Sequence, residues 1–223
     1  PMDPAYKARL SPTLVREPKN SVTFIDFKGA RDLATLPGGP MSMSVGVEAR
    51  REKSDTPALP YTFEGDIVGL GYSGFNASRT VYAMFGELNA PISKEFELTG
   101  ALRHDRYSDY GTSTTPKLSF KWRAAPTFAF RGSYAEGFRA PGPAENGNSA
   151  TAGFAGYLQV TSGNPDIKPE KAKSYNLGFV FEPTPSSSIV FDYYKVVRTN
   201  EIIGADGTLV VGPTQGTGTP LTT

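Results

Sequence analysis

The chain has one histidine, His104, in the run RHDRYSDYG, with Asp105 beside it and Asp109 close behind. A histidine near carboxylates is where a metal site would begin. One His with no second strong ligand falls short of a coordination set. In an extended chain, alternation also puts His104 and Asp105 on opposite faces. Asp105 and Asp109 lack the spacing of a calcium loop, and a solvated loop accounts for them. With no Cys in the sequence, thiolate nucleophiles, disulfides and Cys-bound metals are excluded. Glu87, Glu136 and Glu145 show no spacing that pairs them as acid and base, and no nucleophile elbow or triad order occurs. The Gly-rich pieces LGYSGF (70–75) and VVGPTQGTGTP (210–220) lack the Lys-Ser/Thr of a phosphate-cradling loop. The sequence therefore predicts no catalytic residue, no resident metal and no cofactor. What remains for chemistry is binding. Residues 136–172 carry Asn146, Asn148, Ser149, Thr151, Phe154, Tyr157 and Gln159. Amides, hydroxyls and two aromatic rings suit a sugar, and they suit an ordinary solvated loop equally well.

The elements around these residues read as strands. The chain has 223 residues, 38% of them hydrophobic, with 24 Gly and 19 Pro. No window approaches the run of about 18 apolar residues that a transmembrane helix needs. A transmembrane barrel turns only every second residue to lipid, so low mean hydropathy leaves it open. Interspersed charges, 23 basic against 22 acidic, give a net charge of +1 and argue against a nucleic-acid footprint. The opening PMDPAYKARL has no signal-peptide apolar run, and GPTQGTGTPLTT closes the chain without a capping strand. Both ends read as cuts through polar loops, so the expectation is a fragment.

Eight strands are expected, at about 21–29, 41–52, 80–90, 95–107, 115–124, 127–135, 173–183 and 187–199, with no convincing helix. Most have the length that crosses a bilayer at a tilt, on the order of 9–11 residues. In 41–51, Met43, Val45, Val47 and Ala49 oppose Ser42, Ser44, Gly46, Glu48 and Arg50; in 115–123, Leu118, Phe120 and Trp122 oppose Lys117, Ser119, Lys121 and Arg123. Segment 80–90 is apolar on both faces. Connections 91–94, 125–126 and 184–186 are short, and 30–40 is longer but compact. The others, 53–79, 108–114 and 136–172, fall at the opposite end of an antiparallel meander, and two of them far exceed a hairpin loop. Short turns at one end and long loops at the other are the asymmetry of outer-membrane barrels. Tyr107, Tyr110, Tyr134, Phe138, Trp122, Tyr193 and Tyr194 gather near strand ends, as interfacial girdles do, although aromatic residues are common in any strand. Periodicity alone does not separate a wet lumen from the outside of a sandwich, so a soluble or surface β-sandwich that binds glycans or acts as an adhesin stands as the alternative.

Four segments carry a family resemblance: LPGGPMSMSVGVEARRE (36–52), VYAMFGELNAPI with ELTGALRHDRYSDYGTSTTPKLSFKW (81–92, 97–122), RGSYAEGFRAP (131–141) and GNPDIKPEKAKSYNLGF (163–179). Together they resemble part of the β-barrel of a TonB-dependent outer-membrane receptor. The specific elements are Gly137-Phe138-Arg139-Ala140-Pro141 and Asn164-Pro165-Asp166 through Lys168-Pro169-Glu170, which are distinctive in combination. The resemblance implies an all-β antiparallel meander, about eight strands of a plugged barrel of about 22. Short turns would be periplasmic, and loops 53–79 and 136–172 extracellular. Residues 1–223 would be a partial barrel domain, with the plug and the last strands lying outside it. It further implies outer-membrane lipid, the receptor's own plug, the TonB complex acting through that plug, and a small-molecule or oligosaccharide ligand as partners. The import substrate would be a siderophore, cobalamin or oligosaccharide. Arg103, Arg131, Lys117 and Lys121 are expected to line the lumen. Arg139 stands at a loop base, either paired with a carboxylate or solvated. Gly137 is expected where a strand leaves the sheet, a place for backbone angles that glycine tolerates. Pro141 and Pro143 end pairing because they cannot donate to a ladder, and Pro165 and Pro169 stiffen the re-entry.

Overall fold

A computed structural model describes residues 13–60, 72–146, 148–154 and 158–202, together with residues 3, 5, 6 and 10. The strands are β1 (Lys19–Leu36), β2 (Gly39–Thr56), β3 (Tyr72–Pro91), β4 (Phe96–Tyr107), β5 (Gly111–Ala125), β6 (Phe128–Arg139), β7 (Asn148–Phe154), β8 (Leu158–Ser162), β9 (Glu170–Thr184) and β10 (Ser187–Thr199). They form one antiparallel sheet in the order β1-β2-β3-β4-β5-β6-β9-β10, with β7 and β8 off that path. The eight strands of the path are the eight expected, and they run as a meander. Among the described residues there is a single layer. A sandwich needs a second sheet to cover its apolar face, so the soluble alternative finds no support here.

Register makes the two faces explicit. Glu48 pairs with Ala83, Ala83 with Asp105, Asp105 with Ser113; Lys121 pairs with Arg131, Arg131 with Gly178, Gly178 with Asp192. All these side chains lie on one face, which is polar. The opposite face carries Ile25, Phe27, Val45, Val47, Met84, Leu102, Leu118, Leu177 and Phe191. Val47, Met84, Leu102, Leu118 and Leu177 are each more than half exposed. A broad apolar face left open across most of the sheet is what a hydrocarbon solvent, not water, accepts.

Aromatic rings flank that apolar band. Near the short turns, Trp122 stacks on Phe130 with centroids 5.7 Å apart, Phe128 on Phe179 at 5.4 Å, and Phe179 on Phe191 at 5.6 Å. Toward the other end Tyr134 meets Tyr175 at 5.2 Å. Glycines let large rings lie across the sheet. A Cβ on Gly132 would fall 2.5 Å from the Phe120 ring, and one on Gly46 would fall 2.3 Å from the Phe85 ring. Rings laid over strand glycines pin register as well as covering backbone.

Several expectations change. The stretch 30–40 is not an extended connection: β1 continues to Leu36 and turns through Pro37 and Gly38 into β2. β2 runs on to Thr56, β3 begins at Tyr72, and only 108–110 separates β4 from β5, so that link is as short as the turns at the other end. Gly111 opens β5 at a φ of 110°, a left-handed conformation that favours glycine in so tight a link. Gly137 does not mark an exit. It remains in β6 opposite Ala172 with no left-handed backbone, and pairing ends at Arg139, ahead of Pro141. Finally, 136–172 is not one open loop. After β6 comes a helical turn, Pro143–Asn146, and then the β7–β8 hairpin. β7 pairs with Tyr72–Asn76, the end of β3 that extends past β4. The hairpin thus crosses above the short β4–β5 link and adds to the sheet there.

Candidate functional site

The polar face of β2, β3 and β4 holds a connected set of charges toward the end away from the short turns. Glu48, Arg50 and Glu52 stand at every second position of β2. Arg50 binds both carboxylates, Glu52 through Nε at 2.6 Å. Arg79 on β3 takes the other Glu52 oxygen at 2.6 Å. Arg103 on β4 donates to Asp105 at 2.8 Å and to Glu48 at 3.3 Å. Beneath these groups lies the small buried floor of the sheet: Val81 is fully buried, and Ala83, Tyr107 and Asp105 nearly so. This explains why 80–90 is apolar on both faces. Val81 and Ala83 support the ionic layer, while Tyr82 and Met84 face outward. Carboxylates that bridge two guanidinium groups, partly screened from water, make charge-assisted bonds stronger than those of an isolated surface pair.

The network reaches the outer connections. Arg79 also donates to the Pro141 carbonyl at 2.8 Å, approaches Asp109 at 3.7 Å, and lies over the Tyr107 ring at 5.2 Å. Asn146 donates to Asp109 at 3.0 Å. Tyr107 packs at a tilt against Tyr110, centroids 4.6 Å apart, and the Tyr110 hydroxyl is buried with no hydrogen-bond partner among the described residues. Burial, with Tyr107 and Asp105 adding to it, pushes that phenol above its ordinary range. Asn20, Glu52, Asn76, Arg79, Asp109 and Asn146 line a cleft of about 510 Å³ at this end.

Two other clusters stand apart. Arg131 reaches Asp192 across β9, Nε to Oδ1 at 3.0 Å, over the position of Gly178. Arg139 and Glu170 join the two ends of the 140–169 connection. They are register partners, Nη2 to Oε1 at 3.0 Å and Nε to Oε2 at 2.9 Å. Arg139 also grips Glu145 at 3.0 Å, and Glu145 in turn accepts from the Gly142 amide. Glu170 sits beyond the apolar band. Arg139, with help from the Ile202 amide, holds its carboxyl down at about 2.

The structure thus places Arg103 in the main network and Asn146 at its margin. It gives Arg131 a partner of its own and pairs Arg139 twice. Lys117 and Lys121 share the polar face with them. Asn148 and Phe154 lie in β7 and Gln159 in β8, and Tyr157 lies outside the described residues. Of the motif residues, Phe138 packs edge-on against Tyr107 at 5.9 Å, and the Asn164 side chain accepts from the Asp166 amide at 2.9 Å. Pro165, Lys168 and Pro169 lie in the segment that leads into β9. His104 faces outward and shares a 2.8 Å hydrogen bond with Thr114, on the face opposite Asp105. The residues missed were Glu48, Arg50, Glu52, Arg79 and Asp105. The alternating charges Glu48-x-Arg50-x-Glu52 and Arg103-x-Asp105 were the available signal, since i and i+2 share a strand face.

Comparison with known proteins agrees with this architecture. The vitamin B12 transporter BtuB of Vibrio vulnificus is 25% identical over 142 residues, 64% of this chain and 20% of that protein. The iron-regulated outer membrane virulence protein of Vibrio cholerae (El Tor) is 28% identical over 160 residues, 70% of this chain and 22% of that protein. The chain therefore spans about a fifth of the length of the curated relatives it matches. Among solved structures, the siderophore receptor PirA of Pseudomonas aeruginosa superposes with a TM-score of 0.73 at 18% identity, over 90% of this chain and 36% of that one. PirA of Acinetobacter baumannii gives 0.67 at 19% identity, over 86% and 29%. At such identities these structures speak for the fold. Residues 10–220 match the model of the family described as TonB dependent receptor-like, beta-barrel. This sheet, apolar outside and ionic within, belongs to that family of outer-membrane receptor barrels.

Proposed function

We propose that residues 1–223 are a segment of the barrel of an active-transport receptor that imports a scarce nutrient of the siderophore or cobalamin class, with energy delivered by TonB through a plug carried elsewhere in the receptor. The observation that carries this reading is the family match over residues 10–220. Relatives named as a vitamin B12 transporter and an iron-regulated outer membrane virulence protein support this choice of substrate class. In this reading the polar face is the lumen wall and the end bearing β7 and β8 is extracellular. Arg103 and Arg131, with Lys117 and Lys121, present cations to the plug or to an anionic ligand. Arg139 and Asn146, with Asn148, Phe154, Tyr157 and Gln159 of the outer connection, flank the ligand's entry. A charged lumen suits chelates that carry carboxylates or phosphates.

The test is uptake by cells in which the full-length gene is deleted and restored. Labelled ferric siderophores and labelled cobalamin are each supplied below the porin-limited concentration. The expected result is loss of uptake for one class, restored by the gene and abolished when the proton-motive force is collapsed. Unchanged uptake of both classes overturns the substrate class. Uptake that survives the collapse overturns the coupling. Charge reversal at Arg131 and Lys121 is expected to lower uptake, and unchanged uptake removes them from the path.

A further inference from the structure

The outward face of the sheet is apolar through its middle, but its two margins differ. On the strands, the margin near the short turns carries Arg31 as its one charged residue among those described, amid Met43, Phe96, Trp122, Phe128 and Phe181. The opposite margin is basic. Arg51 and Lys53 follow Ala49 on β2, Arg106 follows His104 on β4, and Lys171, Lys173 and Lys195 lie above Tyr175 and Tyr193 on β9 and β10. Asp55 and Glu136 are the carboxylates on that margin of the strands.

The group on β9 and β10 is the densest. Lys195 is the register partner of Tyr175, which makes it a diagonal neighbour of Lys173; Lys171 and Lys173 share a face two residues apart. Such diagonal neighbours stand about 7–8 Å apart. All three are exposed. Lys173 approaches Glu136 at 3.8 Å, and Glu136 is also bound by the Tyr134 hydroxyl. One carboxylate does not neutralise three ammonium groups, and like charges on neighbouring strands repel. A multivalent anion at the level of the lipid headgroups would complement this arrangement. Tyr134 and Tyr175 stand just below it, with Leu177 and Phe179 beneath them toward the hydrocarbon.

We propose that Lys171, Lys173 and Lys195 form an outward-facing site for the phosphates of a diphosphorylated, multiply acylated lipid of the outer leaflet. The tyrosines would contact its sugar head and the apolar band its acyl chains. This rests on the barrel orientation proposed above. Lysine suits the task because it takes a phosphate as a point charge on a flexible stem, reaching up from the membrane edge.

The experiment uses the full-length receptor purified from outer membranes and incubated in detergent with diphosphorylated lipid A or its monophosphorylated form. Bound lipid is counted by native mass spectrometry. The receptor is expected to retain the diphosphorylated form in preference. Lys171→Gln, Lys173→Gln and Lys195→Gln together are expected to lower retention by about one to two orders of magnitude, while Arg31→Gln leaves it unchanged. Equal retention by the triple variant, inserted and showing heat-modifiable mobility, overturns the site and leaves the barrel standing. If the triple variant does not insert, the wild-type comparison decides, and equal retention of the two lipids overturns the proposal. A full-length protein that is neither in the outer membrane nor heat-modifiable overturns the barrel reading and this site with it.

Discussion

Arg131 reaches Asp192 because the residue between them on β9 has no side chain. A Cβ on Gly178 would lie 2.1 Å from the Asp192 carboxylate and 2.6 Å from the Phe191 carbonyl, and a backbone atom does not swing aside. Gly178→Ala is therefore expected to lower barrel stability by about 1–3 kcal/mol. Gly100→Ala, where nothing lies within 4 Å, is expected to stay within about 0.5 kcal/mol. Urea unfolding of the full-length receptor refolded into vesicles measures both. At Glu170 the consequence is a pH dependence. Its carboxyl is held at about 2, below the ordinary 4.5, by Arg139 first and the Ile202 amide second. A depressed carboxyl contributes its full stabilisation above the unfolded value and loses it as pH falls through the folded one. The Arg139–Glu170 closure of the outer connection is thus expected to hold above about pH 4.5 and open as pH falls toward about 2. A spin label on Lys168→Cys in the full-length receptor, to which residues 1–223 contribute no other cysteine, is expected to gain mobility across that window. In the Glu170→Gln background the label is expected to be mobile at every pH, with no such transition.

At the scale of the strand, the alternation of β4, β5 and β9 was readable from residue types because their two faces meet different surroundings along most of their length. The same rule explains what was not readable. Beyond the apolar band both faces of a strand meet polar surroundings, so Asn20, Lys53, Ser54, Asn76, Ala77 and Ser78 carry no alternating signal. Yet they are paired in β1, β2 and β3. Strand ends read from pattern therefore stopped near the membrane level, several residues short. Inside the band the faces are not interchangeable. Leu118→Arg on the outward face of β5 is expected to destabilise by about 2–4 kcal/mol in vesicles. Ser119→Arg, one residue on and facing the lumen, is expected to change stability by less than about 1 kcal/mol. Urea midpoints of the two variants, compared side by side, would refute the face assignment if they shifted equally.

At the scale of the molecule, the described sheet is open, and its outermost strands are exposed along nearly their whole length: β1 in every residue but Leu36, and β10 throughout. Two unpaired edges and a bare apolar face favour association with anything that offers a strand or a hydrophobic surface. Residues 1–223 expressed alone, without detergent, are expected to elute as heterogeneous aggregates in size-exclusion chromatography. A monodisperse monomer with a cooperative melting transition would contradict the barrel architecture. What residue order determined by itself was that the chain is built of strands, where eight of them lie and which residues share a face, because side-chain alternation is a local property of an extended chain; the meander and the barrel came with the family resemblance. The motif ends at Arg139 and Glu170 were likewise visible as motifs. Tertiary structure decided that these two residues are register partners, that Glu48, Arg50, Glu52, Arg79 and Arg103 form one network, and that β7 pairs with β3 over the short β4–β5 link. Each of these joins positions tens of residues apart, and the polar residues that make them resemble any solvated strand or loop until pairing brings their partners alongside.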